Sequence, residues 1–191
     1  QQYTRTFGGT LGGAIVKDKL FYFVSAESKK ESYPSSVYPG YTSEYITPDV
    51  AAQIANQYKK LTGFDEAYGQ RNVDQKSFGL LARIDWNINK DHKLALRYQH
   101  NDSYDDNYSP GTYSYVFNNS GYRMNNKTNS IVAELNSHLG QNLYNEFRAS
   151  ASFIRDHRDV AYQGPTVQIS NILGGDGSTK ITGNIGTEYS S

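Results

Sequence analysis

Phe78-Gly79-Leu80-Leu81-Ala82-Arg83-Ile84-Asp85-Trp86-Asn87-Ile88 is the stretch that decides the fold. Phe78, Leu80, Ala82, Ile84, Trp86 and Ile88 fall on one parity; Gly79, Leu81, Arg83, Asp85 and Asn87 fall on the other. A period of two sends successive side chains to opposite faces of a β-sheet. The run is therefore a strand with one apolar and one polar face. The polar stretch Asn89 to His92 reverses the chain, and Lys93 to His100 resumes the alternation with Leu94, Leu96 and Tyr98 on the apolar side. Two such runs around a short polar break form a β-hairpin.

The same arrangement recurs on both sides. Downstream, Ile131, Ala133, Leu135 and Leu139 alternate with Val132, Glu134, Asn136 and His138. After Gly140-Gln141-Asn142, Leu143, Phe147, Ala149, Ala151 and Phe153 alternate with Tyr144, Glu146, Arg148, Ser150 and Ser152. Upstream, Phe7, Gly9, Leu11, Gly13 and Ile15 lead through Lys17-Asp18-Lys19 into Leu20 to Ala26, which is apolar on both parities. The sequence thus predicts about six strands in three hairpins. Turns within hairpins are short, whereas the connections between them are long: roughly Ser32 to Lys76, Tyr104 to Lys127, and a third from near His157.

Sorting of connections by length is the layout of an outer-membrane β-barrel, with short periplasmic turns and long extracellular loops. A soluble sandwich has no reason to sort its connections in this way. Runs of ~10 or more residues also match the 9–11 needed to cross a bilayer at a tilt, against ~5–6 for an average soluble strand. The expected fold is all-β and membrane-embedded: a partial antiparallel transmembrane β-barrel. Phe78, Leu80, Ile84, Trp86, Leu94 and Leu96 would face lipid, with Trp86 placed as an interfacial aromatic. Arg83, Asp85, Arg97, Glu134, Glu146 and Arg148 would face the lumen. The mirror reading of the same alternation is a soluble β-rich adhesion or ligand-binding module, with the charged face in water and the apolar face in a core.

Composition agrees with a strand-rich chain. Of 191 residues, 37% are hydrophobic and 14% aromatic, including 17 Tyr; disordered chains are poor in aromatics. Nineteen basic and 19 acidic residues balance, so the charge offers no footprint for nucleic acid. Without cysteine there is neither a disulfide framework nor a thiolate metal site. No run of ~18 apolar residues exists to form a membrane helix, a criterion that barrel strands escape.

One helix is expected in the first long connection. Thr47 serves as N-cap, Pro48 occupies the first turn and Asp49 meets the helix dipole. Ala51 to Leu61 are good helix formers, Lys59 and Lys60 lie in the last turn, and Gly63 ends it. Val50, Ile54, Tyr58 and Leu61 make an apolar stripe expected to dock on a neighbouring loop.

The run Phe7-Gly8-Gly9-Thr10-Leu11-Gly12-Gly13-Ala14-Ile15-Val16-Lys17-Asp18-Lys19-Leu20-Phe21-Tyr22-Phe23 resembles the start of the barrel in TonB-dependent receptors of the Oar-like type, common in Bacteroidetes. There a GGxLGGPI…KDKLFFF run recurs; Ala14 stands where proline is usual. Leu81 to Ile88, followed by His92-Lys93-Leu94 and Arg97-Tyr98, is similar to that family's next hairpin. Ile181-Thr182-Gly183 through Ser191 is similar to a segment preceding a further strand. The resemblance implies residues 1–191 as an N-terminal part of a receptor barrel of about 22 strands with a plugged lumen, the plug and remaining strands lying elsewhere. It implies a Gram-negative outer-membrane location. The implied partners are outer-membrane lipid, the rest of the barrel and plug, the TonB complex acting on the parent protein, and an imported solute, peptide or glycan.

No catalytic residue, metal site or cofactor is expected, and the chain does not read as an enzyme. Gly8 to Gly13 lack the Lys-Ser/Thr ending and following helix of a phosphate loop. The carboxylates of Asn101 to Asn107 lack the glycine and terminal glutamate spacing of an EF-hand. His92, His100, His138 and His157 show no zinc-ligand spacing. Asn118 and Asn126 open glycosylation sequons that carry little weight in a bacterial setting. The candidate ligand-binding residues are loop tyrosines: Tyr41, Tyr45, Tyr104, Tyr108 and Tyr113, whose rigid amphipathic rings suit sugars, peptides or chelates.

Overall fold

The computed structural model describes residues 2–35, 38, 47–65, 67–107, 114–116, 121–160, 165–173 and 179–187. In chain order the elements are β1 (Tyr3–Val16), β2 (Leu20–Pro34), α1 (Pro48–Thr62), β3 (Asn72–Asn87), β4 (His92–Asn107), β5 (Ser114–Val116), β6 (Tyr122–His138), β7 (Tyr144–Val160), β8 (Pro165–Leu173) and β9 (Thr179–Thr187). Six of the strands form one antiparallel sheet in the order β1-β2-β3-β4-β6-β7. The sheet is not closed into a barrel: among the described residues β1 and β7 pair on one side only.

The three tight turns lie at one end of this sheet, each held by a local device. Asp18 takes a positive φ of 59° while Lys19 N donates to Val16 O at 3.1 Å. Asn89 Oδ1 accepts from both Asp91 N (2.9 Å) and His92 N (2.8 Å), the side-chain mimic of a backbone turn that favours Asn at such positions. Gly140 supplies φ 80° for the third turn, which closes with Leu139 N donating to Leu143 O at 2.7 Å. Adjacent hairpins are also joined at this end, Asn87 N donating to Lys19 O and His138 N to Asp91 O, both at 2.8 Å. The long connections leave from the opposite end.

Two expectations are corrected here. The strands are 14 to 17 residues long, so the expected runs of ~10 or more extend past their alternating parts and take in much of what reads as loop. Tyr104 and the carboxylates beside it belong to β4, and Tyr33 belongs to β2. Beyond the six strands, β5, β8 and β9 make a second, three-stranded sheet in the order β5-β8-β9. Their apolar alternation is brief, Val167 and Ile169 against Gln168 and Ser170 on β8 and Ile181 and Ile185 on one parity of β9, because small and polar residues fill the rest.

The helix has the predicted ends. Thr47 Oγ1 accepts from Val50 N at 3.4 Å, and Gly63 caps in the left-handed region (φ 78°), its N–H donating to Lys59 O at 2.8 Å. Its buried face is Ala51, Ala55 and Tyr58, while Leu61 is 80% exposed. The stripe Val50-Ile54-Tyr58-Leu61 therefore gives way to one displaced around the helix: two methyl groups can be covered completely where branched chains would stand off. Among the described residues other than its chain neighbours, nothing lies within 4 Å of where a Cβ on Gly63 would sit, so its cost of substitution is conformational. Gly63→Ala is expected to destabilise the helix end by about 1 kcal/mol, seen as faster amide exchange over α1.

Ala51, Ala55 and Tyr58 are also the only buried hydrophobic residues among those described. Among the described residues the large sheet has no apolar core beneath it and no second layer over either face.

Candidate functional site

The strand register sorts the sheet's side chains into two faces. Directly paired residues share a face, and pairing from β2 to β7 runs without a shift; a single irregularity lies between Ala14 and Val16 in β1. On one face the row nearest the tight turns reads Val16, Leu20, Trp86, Leu94, Leu135, Phe147. The next is Gly13, Tyr22, Ile84, Leu96, Ala133, Ala149, and the third Leu11, Val24, Ala82, Tyr98, Ile131, Ala151. The fourth row ends the apolar zone on β4 and β6 with His100 and Asn129, but keeps Leu80 and Phe153. Phe7 and Phe78 carry it one row further on β1 and β3.

All six residues expected on the apolar side, Phe78, Leu80, Ile84, Trp86, Leu94 and Leu96, occupy this face. Nothing in the described chain covers it: Leu11 is 65% exposed, Ile131 51% and Phe153 68%. From Trp86 to Phe78 the zone is about 27 Å long at 3.4 Å per residue. Its polar groups partner one another. Tyr98 OH donates to Asn129 Oδ1 at 2.8 Å, and His100 Nδ1 lies 2.8 Å from the same oxygen; a polar group in apolar surroundings is costly unless bonded in this way.

The opposite face is charged. Asp85, Ala95, Glu134 and Arg148 form one row, and Arg83, Arg97, Val132 and Ser150 the next. Arg83 forks onto Asp85 (Nε to Oδ2 2.8 Å, Nη2 to Oδ1 2.7 Å). Arg148 lies between Glu134 at 2.9 Å and Glu146 at 3.2 Å. The predicted charged set is thus brought together. Arg97 stands directly opposite Arg83 and Val132, and borders a cleft of about 380 Å³ lined by Arg83, Glu134, Arg148 and Ser150.

A second cleft, about 280 Å³, lies further from the tight turns. Lys29, Ser77, Ser103 and Asn126 make one of its rows, with Glu31, Gln75, Asp105 and Met124 in the next. Lys29 Nζ is 2.9 Å from Glu31. None of these residues stands out in the sequence, although continuing the parity of Arg83 back through Gly79, Ser77 and Gln75 leads to them. Chemically, the two clefts offer paired charges and amide, hydroxyl and carboxylate groups suited to holding a polar ligand. Among the described residues no group of three or more His, Asp or Glu is placed to hold a metal ion.

The tyrosine set fares differently. Tyr104 is a strand residue, on the same face as Leu94 and Leu96, with the Arg123 guanidinium 4.1 Å from its ring centre. Tyr41, Tyr45, Tyr108 and Tyr113 lie outside the described residues.

No family model, curated protein or solved structure matches the chain.

Proposed function

We propose that this chain is the wall of an outer-membrane β-barrel, part of a TonB-dependent receptor that imports a scarce solute, peptide or glycan. The observation carrying this reading is the uncovered apolar zone on one face, backed by charge on the other. At a strand tilt of 35–45° its ~27 Å projects to about 21 Å, near the ~25 Å apolar band of outer-membrane barrels. Trp86 and Phe147 lie in its turn-side row, and Phe7, Phe78 and Phe153 at or near its far edge, where aromatic girdles belong. The tight turns would then be periplasmic and the long connections extracellular. The charged face would line the lumen.

Closure follows from the same physics. An unpaired backbone group in hydrocarbon costs several kcal/mol, so the outer sides of β1 and β7 require further strands of the parent protein. The resemblance of Phe7 to Phe23 to the Oar-like receptors supplies the remainder of the proposal. Extracellular segments capture the ligand, and a plug in the lumen rearranges when the TonB complex pulls.

The full-length protein should require detergent for solubility, and its gel migration should change on boiling, as a closed barrel resists dodecyl sulfate until heated. A water-soluble monomer without such heat modification would place the apolar face in a packed interior, and overturn the proposal in favour of a soluble binding or adhesion module.

A further inference from the structure

Just beyond the apolar zone, on the same face, the register sets three cations side by side: Arg5 opposite Lys30, and Lys30 opposite Lys76. Directly paired residues have Cβ atoms ~4.5–5.5 Å apart, and like charges there are destabilising. Among the described residues no carboxylate forms an ion pair within 4.0 Å of any of the three. Glu27 and Glu31 point to the opposite face, and Asp102, one row nearer the turns, is engaged by Lys127 at 3.1 Å. Asp74 shares the face one row further out, opposite Ser32. Arg5 lies 5.0 Å from the centre of the Tyr3 ring, and all three cations are exposed.

A repulsive row kept on an outward face calls for an anion. Its height identifies which. Phe7 and Phe78 occupy the adjacent row towards the turns, and Ala26 and Leu80 the one after. An occupant bridging both zones has a charged head and an apolar body. We propose that Arg5, Lys30 and Lys76 bind the phosphate of an anionic lipid in the leaflet at the loop end of the barrel, its acyl chains lying along Leu80, Val24 and Leu11. Arg and Lys are the side chains suited to phosphate oxygens, and long cationic chains at a membrane boundary extend to the headgroups while their stems cover apolar surface. The inference rests on the membrane reading above.

The test uses the full-length protein in neutral detergent, with phosphatidic acid or lipid A as probe and lipid retention read by native mass spectrometry. Each cation near an anionic surface contributes roughly fivefold. The triple variant Arg5→Gln, Lys30→Gln, Lys76→Gln should therefore retain these lipids at least about tenfold less well, while Lys30→Arg with Lys76→Arg retains them. In neutral detergent alone the triple variant should melt no lower than the parent, because the repulsion is gone; a merely structural role for the cations would lower it. Unchanged lipid retention by the triple variant overturns the assignment. So does displacement of lipid by millimolar inorganic phosphate, which would make this a free-anion site. If the parent inserts in vesicles and is heat-modifiable yet shows no preference for anionic lipid, this inference alone fails. If the parent does not insert, the membrane reading fails first.

Discussion

Ile131→Arg is expected to destabilise the full-length protein in lipid vesicles by roughly 2–4 kcal/mol, the cost of a cation at the midplane of a barrel's outer surface. Ile131 is in the third row of the apolar zone, between Tyr98 on β4 and Ala151 on β7, and is the natural midpoint of the span from Trp86 to Phe78. The neighbouring Ser130→Arg sits on the other face, opposite Gln99 and Ser152, and should change stability by no more than about 0.5 kcal/mol. Denaturant unfolding of vesicle-inserted protein measures both. Phe78→Arg, at the zone's edge, should cost about 0–1 kcal/mol. A soluble core would also reject a cation in place of Ile131, but its penalty could not depend on acyl-chain length. Shorter lipids should reduce the Ile131→Arg cost, and a cost independent of bilayer thickness would sink the assignment of this face to lipid.

The second large effect is expected where a carboxylate is buried far from the tight turns. Asp106 is 8% exposed and accepts from Arg123 Nε at 2.7 Å and Nη2 at 3.2 Å, while the guanidinium lies over the Tyr104 ring. Arg123→Ala leaves that carboxylate desolvated with its fork removed, at a cost of about 1.5–3 kcal/mol. The arginine side of the pair is open to solvent, so the higher figures for fully buried ion pairs do not apply. Asp106→Ala in the Arg123→Ala background should recover part of the loss, because the stranded charge is gone. A double-mutant cycle by urea unfolding gives the coupling; an additive cycle would show that the fork contributes nothing beyond its separate members.

The turn-side half of the sheet is clearly legible in the sequence and the far half hardly at all, for a physical reason. Over Phe78 to Ile88, Lys93 to His100 and Ile131 to Phe153 the two faces differ in polarity, so the side chains record the pleat, whereas Leu20 to Ala26 is apolar on both parities and does not. Past Ser28 on β2, before Phe78 on β3 and past His100 on β4, both faces are polar. Alternation is then invisible, although the backbone ladder continues to Pro34, Asn72 and Asn107. Tyr104 reads as a loop residue for that reason. The charges Arg83, Asp85, Glu134 and Arg148 are legible because they interrupt apolar runs; Lys29, Asp105 and Asn126 interrupt nothing. The row Arg5-Lys30-Lys76 cannot be found without the register, since the three lie on different strands. On α1 the caps are readable from Thr47, Pro48 and Gly63, whereas the buried side is not, because alanine carries little polarity signal.

The length of the strands has a consequence for how such a protein would diversify. About 20 Å of paired backbone rises past Phe78 to Asn72, so in the proposed barrel the approach to the pore would be a stiff collar rather than a set of free segments. A solute would meet a surface whose inward side chains recur at every second residue, as Lys29 and Glu31, Gln75 and Ser77, or Ser103 and Asp105 do. Among variants adapted to different cargo, substitutions in this collar should cluster on one parity, while the intervening positions answer to whatever surrounds the rim from outside.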